Sequence, residues 1–129
     1  YELHRRLRDA GYEDTMVNTS HPGFVMTNLQ TNSLEKSGRN ALESFAYRIA
    51  EPLLAQDISM GVLPQLYGMT AQDAESGKFY GPSFLSMRGH PAENTPNSEV
   101  NDKDALKRFF DISEELTGVT YDMLEKQAV

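Results

Sequence analysis

The chain has 129 residues, a formal net charge of −7 at neutral pH, 39% apolar residues and no cysteine. One hydrophobic core is the most such a chain buries, and the acidic balance argues against binding to nucleic acid phosphates, because no basic stripe offsets the carboxylates. Disulfides, thiolate catalysis and cysteine zinc sites are excluded as well, and no apolar run reaches the ~18 residues that span a bilayer.

From Tyr1 to Ala10, the residues Leu3, Leu7 and Ala10 share one helical face, Glu2, Arg5, Arg6 and Arg8 cover the others, and Gly11 supplies a left-handed stop. No Ser, Thr, Asp or Asn caps the start, so the chain is expected to begin inside a helix, with further machinery upstream. Thr15 to Ser20 is a short β-prone run that stops at Pro22-Gly23. Flanked by helical patterns, it predicts a parallel strand of a βαβ unit. Residues 29–40 are polar and rich in Asn and Ser, as expected of a loop that covers a site.

Leu42, Phe45, Ala46, Ile49, Ala50 and Leu53 repeat at helical spacing, with Pro52 expected to end this helix or kink it near Glu51. A second helix follows, capped by Asp57 or Ser59, with Val62, Leu63, Leu66 and Met69 as its buried face and Pro64 early enough to be tolerated. Lys78-Phe79-Tyr80, between Ser76-Gly77 and Gly81-Pro82, predicts a brief strand. Residues 83–101 carry many Pro, Asn and Gly and predict an irregular surface loop. The last helix starts at Asn101 or Asp102 and runs through Leu106, Phe109, Phe110, Ile112 and Leu116, expected as core, to Gly118. The tally is about four helices and two strands, too little sheet for stability unless other elements complete it.

Three blocks in order carry a specific resemblance: Tyr1-Glu2-Leu3-His4-Arg5-Arg6-Leu7, then His21-Pro22-Gly23-Phe24-Val25-Met26-Thr27-Asn28-Leu29, then Gly77-Lys78-Phe79-Tyr80-Gly81-Pro82. With Ser113-Glu114-Glu115-Leu116-Thr117-Gly118-Val119 as a fourth, the chain resembles the C-terminal half of a classical short-chain dehydrogenase/reductase, in the retinol dehydrogenase and WW-domain oxidoreductase-like branch. The resemblance implies an α/β fold, the C-terminal portion of a Rossmann-type doubly wound parallel sheet. It also implies a parent that transfers hydride between NAD(P) and an alcohol or carbonyl substrate. By the same resemblance Pro22, Gly23, Val25 and Thr27 are cofactor-binding, Asn28, Leu29 and Met87 lie on the substrate side, and residues 29–40 are the substrate flap. The strand at Phe79 would be the last of the parallel sheet, beside the strand at Val17. A homo-oligomer is the family expectation.

The departures from the family matter as much. Its active site needs a Tyr-x-x-x-Lys pair, in which lysine lowers the tyrosine pKa for general acid–base work. No tyrosine here has lysine four residues on; Tyr1 has Arg5 at that spacing. The glycine-rich fingerprint that seats a pyrophosphate is missing too, since Ser83 stands where a third glycine would follow Gly77 and Gly81. No catalytic residue is therefore assigned, and tight NAD(P) binding by these residues alone is not expected.

Other candidates have plain structural readings. His21, at a strand end, reads as a hydrogen-bonded packing residue rather than a catalyst. Arg5, Arg6 and Arg8 read as a solvated helix face, Glu114 and Glu115 as surface charge, and Phe109 with Phe110 as ordinary core. The three histidines are too scattered to predict a metal site. The first residues lack signal-peptide character, which makes a soluble, cytoplasmic protein the expectation. The expected function is the nicotinamide-side segment of an NAD(P)-dependent oxidoreductase, inactive in isolation. The alternative is a noncatalytic binding or assembly module that keeps half of the fold and presents the strand edge beside Val17.

Overall fold

A computed structural model describes residues 1–25 and 53–124. The expected helix around Leu42 to Leu53 and the loop 29–40 fall wholly or mostly outside these residues. In chain order the elements are helix α1 (Glu2–Asp9), strand β1 (Thr19–Ser20), helices α2 (Ile58–Gly61) and α3 (Leu63–Thr70), strands β2 (Phe79–Phe84) and β3 (Arg88–Glu93), and helix α4 (Lys103–Thr117). A 3₁₀ turn at Ser98–Asn101 precedes α4 and another at Asp122–Leu124 follows it. The fold is mixed α/β, with an open sheet of order β1-β2-β3. Thr19 N–H donates to Lys78 O and His21 N–H to Tyr80 O, each at 3.0 Å, and this advance in the same direction makes β1 and β2 parallel.

The chain forms two compact units, Tyr1–Thr19 with Glu75–Lys78 and Thr95–Val129, and Ser20–Ala74 with Phe79–Asn94. In the first unit, α1 packs on α4. Leu7 and Ala10 are buried, but so is Glu2, which the amphipathic pattern had put on an outer face. Arg5 and Arg6 explain the difference: Arg5 Nη2 donates to Glu2 Oε1 at 2.6 Å and Arg6 Nε to the same oxygen at 2.8 Å. A buried carboxylate is tolerated when charged donors replace water. The Arg5 hydrogen bond first, with Arg6 after it and against burial, holds the Glu2 carboxyl below its ordinary pKa.

Of the arginine cluster, Arg5 is exposed as expected, but Arg6 and Arg8 are partly covered. Arg6 Nη2 donates to Asp111 Oδ1 at 2.6 Å, and its guanidinium carbon lies 4.2 Å from the centroid of the Phe110 ring, a cation–π contact. Arg8 instead closes the turn after α1, donating to the carbonyls of Tyr12 and Glu13. Glu114 is not plain surface charge either: it stands 3.8 Å from Arg6 and accepts from Tyr121 N–H at 3.2 Å. Asp102 caps α4 by accepting from Ala105 N–H, and Gly118 ends it at φ 67°, both as the sequence predicts. The expected core of α4 does not hold, because Phe109 and Leu116 are 73% and 81% exposed and no residue of the helix is buried. The face turned to α1 carries Phe110, Asp111 and Glu114, so this contact is largely made by charges.

In the second unit, α2 runs into α3 with a break at Val62, and Asp57 caps it by accepting from Ser59 N–H. Pro64 falls in the first turn of α3, where its missing N–H costs nothing. The expected buried face is corrected: Val62, Leu66 and Met69 are exposed, whereas Gly61, Pro64 and Gly68 are buried. Small residues go inside because the backbone comes close; a Cβ on Gly61 would lie 2.3 Å from Val25 Cγ2. Tyr67 completes the packing edge-on to Tyr80, with ring centroids 5.1 Å apart.

The largest correction concerns residues 83–101, where β2 continues to Phe84 and β3 returns antiparallel, with Pro82 opposite Pro91. The first strand is shorter than expected, Thr19–Ser20 rather than Thr15 to Ser20; the strand at Phe79 lies beside it in parallel, as expected, and β3 adds an antiparallel edge beyond it. Asn94 N–H bonds Phe79 O at 2.8 Å, and alternation along an antiparallel ladder then makes the Pro82/Pro91 pair a non-hydrogen-bonded one. Two prolines that look like breakers thus sit where the β2–β3 ladder needs no N–H. The hairpin turns through Leu85 and Ser86 at φ 51° and 57°, closed by Met87 N–H to Phe84 O at 2.9 Å. Such a turn is usually made by Asn and Gly, so the sequence carries no signal for it.

Candidate functional site

The Pro22-Gly23 turn follows directly from β1, at the carboxyl end of a strand in a parallel pair. His21 is the last residue tied to β2. Gly23 then takes φ 71°, and a Cβ there would meet Met87 O at 2.4 Å and Pro82 Cγ at 2.5 Å. Both the left-handed backbone and the close approach demand glycine. Phe24 N–H donates to Met87 O at 2.7 Å, so the hairpin tip is latched to the turn through backbone.

Gln56 holds the other side. It is buried, its Nε2 donates to Pro22 O at 2.8 Å, its Oε1 accepts from Gly89 N–H at 2.8 Å, and its own N–H donates to Phe24 O at 2.8 Å. A parallel bridge joins it to Val25, which is also buried. One glutamine therefore ties the turn to β3, and nothing in the residue pattern marks it out. A polar side chain between two helical stretches looks like any surface residue, and only the fold shows its three partners.

His21 is held at both ring nitrogens. Nδ1 accepts from Gly23 N–H at 3.2 Å, Nε2 lies 3.0 Å from the Asn94 amide, and the ring stacks at a tilt on Phe79, 5.0 Å between centroids. Both neighbours, Gly23 N–H and the Asn94 amide nitrogen, are donors, so an uncharged ring suits the site better than a protonated one. Burial pushes the His21 pKa below its ordinary value, which favours this neutral form. The geometry matches the expected packing role.

The structure thus brings together Pro22, Gly23, Val25 and Met87, the last through its carbonyl. Thr27, Asn28 and Leu29 lie outside the described residues. The glycines Gly77 and Gly81 have separate local reasons. Gly77, at φ 82°, lies under the His4 ring, where a Cβ would be 2.9 Å from Nε2. Gly81 faces His21. His4 itself is anchored by Ser76 Oγ at 3.0 Å from its Nδ1, and its pKa is lowered first by burial and then by the Arg8 charge.

Chemically, the turn is a rigid wall. The amides of Gly23 and Phe24 and the carbonyls of Pro22 and Phe24 all bond within the protein, while the Pro22 ring is exposed. What it leaves exposed is Pro22, with hydrogen-bonded backbone behind it. Among the described residues no helix is long and apolar enough to cross a membrane, and no cluster of three or more His, Asp or Glu could hold a metal ion. The sequence matches no protein-family model, no curated protein and no solved structure.

Proposed function

We propose that the Pro22-Gly23 turn is the nicotinamide-facing wall of an NAD(P)-dependent oxidoreductase site, of the short-chain dehydrogenase/reductase kind, acting on an alcohol or carbonyl. The observation that carries this reading is the turn's place at the carboxyl end of β1 beside parallel β2, the side on which open α/β sheets of the Rossmann type bind their ligands. The exposed Pro22 ring and the saturated backbone behind it fit a planar ring resting against them by dispersion. When bound, NAD(P) supplies the hydride; the residues of this chain orient it and keep water from one face.

Thr27, four residues past Gly23, holds the cofactor's amide or phosphate in this reading, and Met87 borders the substrate side. The Tyr-x-x-x-Lys pair is missing from these 129 residues, so the general acid comes from residues outside them. The test is Thr27→Ala in a polypeptide that also carries such a pair and a glycine-rich fingerprint. The cofactor KM should rise or turnover fall; unchanged kinetics would count against the role.

A further inference from the structure

Helix α4 has two unlike faces. One meets α1 through Phe110, Asp111 and Arg6. The opposite one presents Ala105, Phe109, Ile112 and Leu116, all exposed and spaced by four, three and four residues. That is the seam spacing of a coiled coil, not the wider stripe of a helix lying on a core. Asp102, Asp104 and Arg108 line an open groove with Ala105, Phe109 and Ile112, so the polar edge and the seam form one continuous surface.

The charges beside the seam say what fits it. With Phe109 and Leu116 at a positions and Ala105 and Ile112 at d positions, Arg108 and Glu115 fall at g and Leu106 and Ser113 at e. In an antiparallel pair, g faces g′ and e faces e′. Arg108 of one copy then meets Glu115 of the other, twice about the two-fold axis, while the e side carries no charge. A parallel pair sets g against e′ and forms no ion pair at all. Neither Arg108 nor Glu115 makes an ion pair with another described residue, and opposed helix dipoles favour the same arrangement.

We propose that α4 is a self-association face, occupied by the antiparallel α4 of a second copy of this chain, with Phe109 and Ile112 interleaved at the centre and Arg108 paired to the other copy's Glu115. This holds whether or not the chain takes part in hydride transfer. A single pair of helices of this length, about 22 Å, buries less than the ~1,200 Å² typical of stable complexes, so the dimer is weak and forms at tens to hundreds of micromolar.

Sedimentation equilibrium of the 129-residue chain, from about 10 μM to about 1 mM, is the test. The wild type should show a monomer–dimer equilibrium, and Phe109→Asp should abolish it. Arg108→Glu and Glu115→Arg should each weaken it at least tenfold, and an equimolar mixture of these two variants should restore it, because both crossed pairs are then complementary. Circular dichroism checks that these exposed substitutions leave the fold intact. A wild type that stays monomeric would assign the face to some other chain and overturn the proposal, as would a dimer indifferent to Phe109→Asp or a mixture that fails to recover.

Discussion

Gly81 and His21 face one another so closely that a Cβ on Gly81 would lie 2.0 Å from His21 Nε2 and 2.3 Å from Asn94 Nδ2. The ring cannot retreat, since it is bonded to Gly23 N–H on one side and lies against Phe79 on the other. Gly81→Ala should therefore destabilise the chain by about 2–3 kcal/mol, the cost of overpacking a site with no room to relax. Urea unfolding followed by circular dichroism measures it, and a loss under about 0.5 kcal/mol would contradict the packing described.

Gln56 leads to a second expectation. Gln56→Ala leaves Pro22 O and Gly89 N–H without their partner, at a cost of about 2–3 kcal/mol for two such groups. Gln56→Glu keeps the acceptor for Gly89 and loses the donor to Pro22, so its loss should be smaller at low pH, where the acid regains a proton to donate. Amide exchange at Gly89 reports which bond has opened.

The pH dependence follows from His21, with His4, also held below its ordinary value, adding to it in the same direction. The folded pKa of His21 lies below the ordinary 6.5, so the unfolded chain binds this proton more tightly. Stability is then full above pH 6.5 and falls as the pH drops from there toward the folded value, since protonated Nδ1 would point an N–H at Gly23 N–H. Glu2, held by Arg5 below the ordinary 4.5, adds a separate loss only below that pH. An NMR titration of the His21 ring should give a midpoint under 6.5; one above it would contradict the burial described.

Arg6 joins Glu2, Asp111 and the Phe110 ring. Arg6→Ala should cost about 1–2 kcal/mol, between the values of exposed and buried pairs because Arg5 still covers Glu2. Arg6→Lys keeps the charge but not the planar fork, and should recover only part of that loss in thermal unfolding.

Local signals in the sequence were legible where a single residue type decides the backbone. Gly11, Gly118, Asp57 and Asp102 end or cap their helices as expected, and Pro22-Gly23 ends its strand. The β2–β3 hairpin was hidden because Leu85 and Ser86 occupy a turn that Asn and Gly normally mark, and because Pro82 and Pro91 pass for breakers until their pairing is known. Burial was the least legible feature. Helical periodicity shows that α3 and α4 are two-faced but not which face turns inward: a proline and a glycine turn in on α3, and charges face α1 on α4. Of the candidate site, glycine chemistry marked the turn itself, while Gln56, which fastens it, has partners distant in sequence.

The nicotinamide assignment is met most directly by amide chemical shifts of the isotope-labelled chain during titration with NADH and NADPH. The shifts should move at Gly23, Phe24 and Thr27 and grow without saturating up to about 1 mM, as befits one wall of a site. Shifts confined to other regions would contradict it, and saturable binding at micromolar cofactor would contradict the incompleteness of the site.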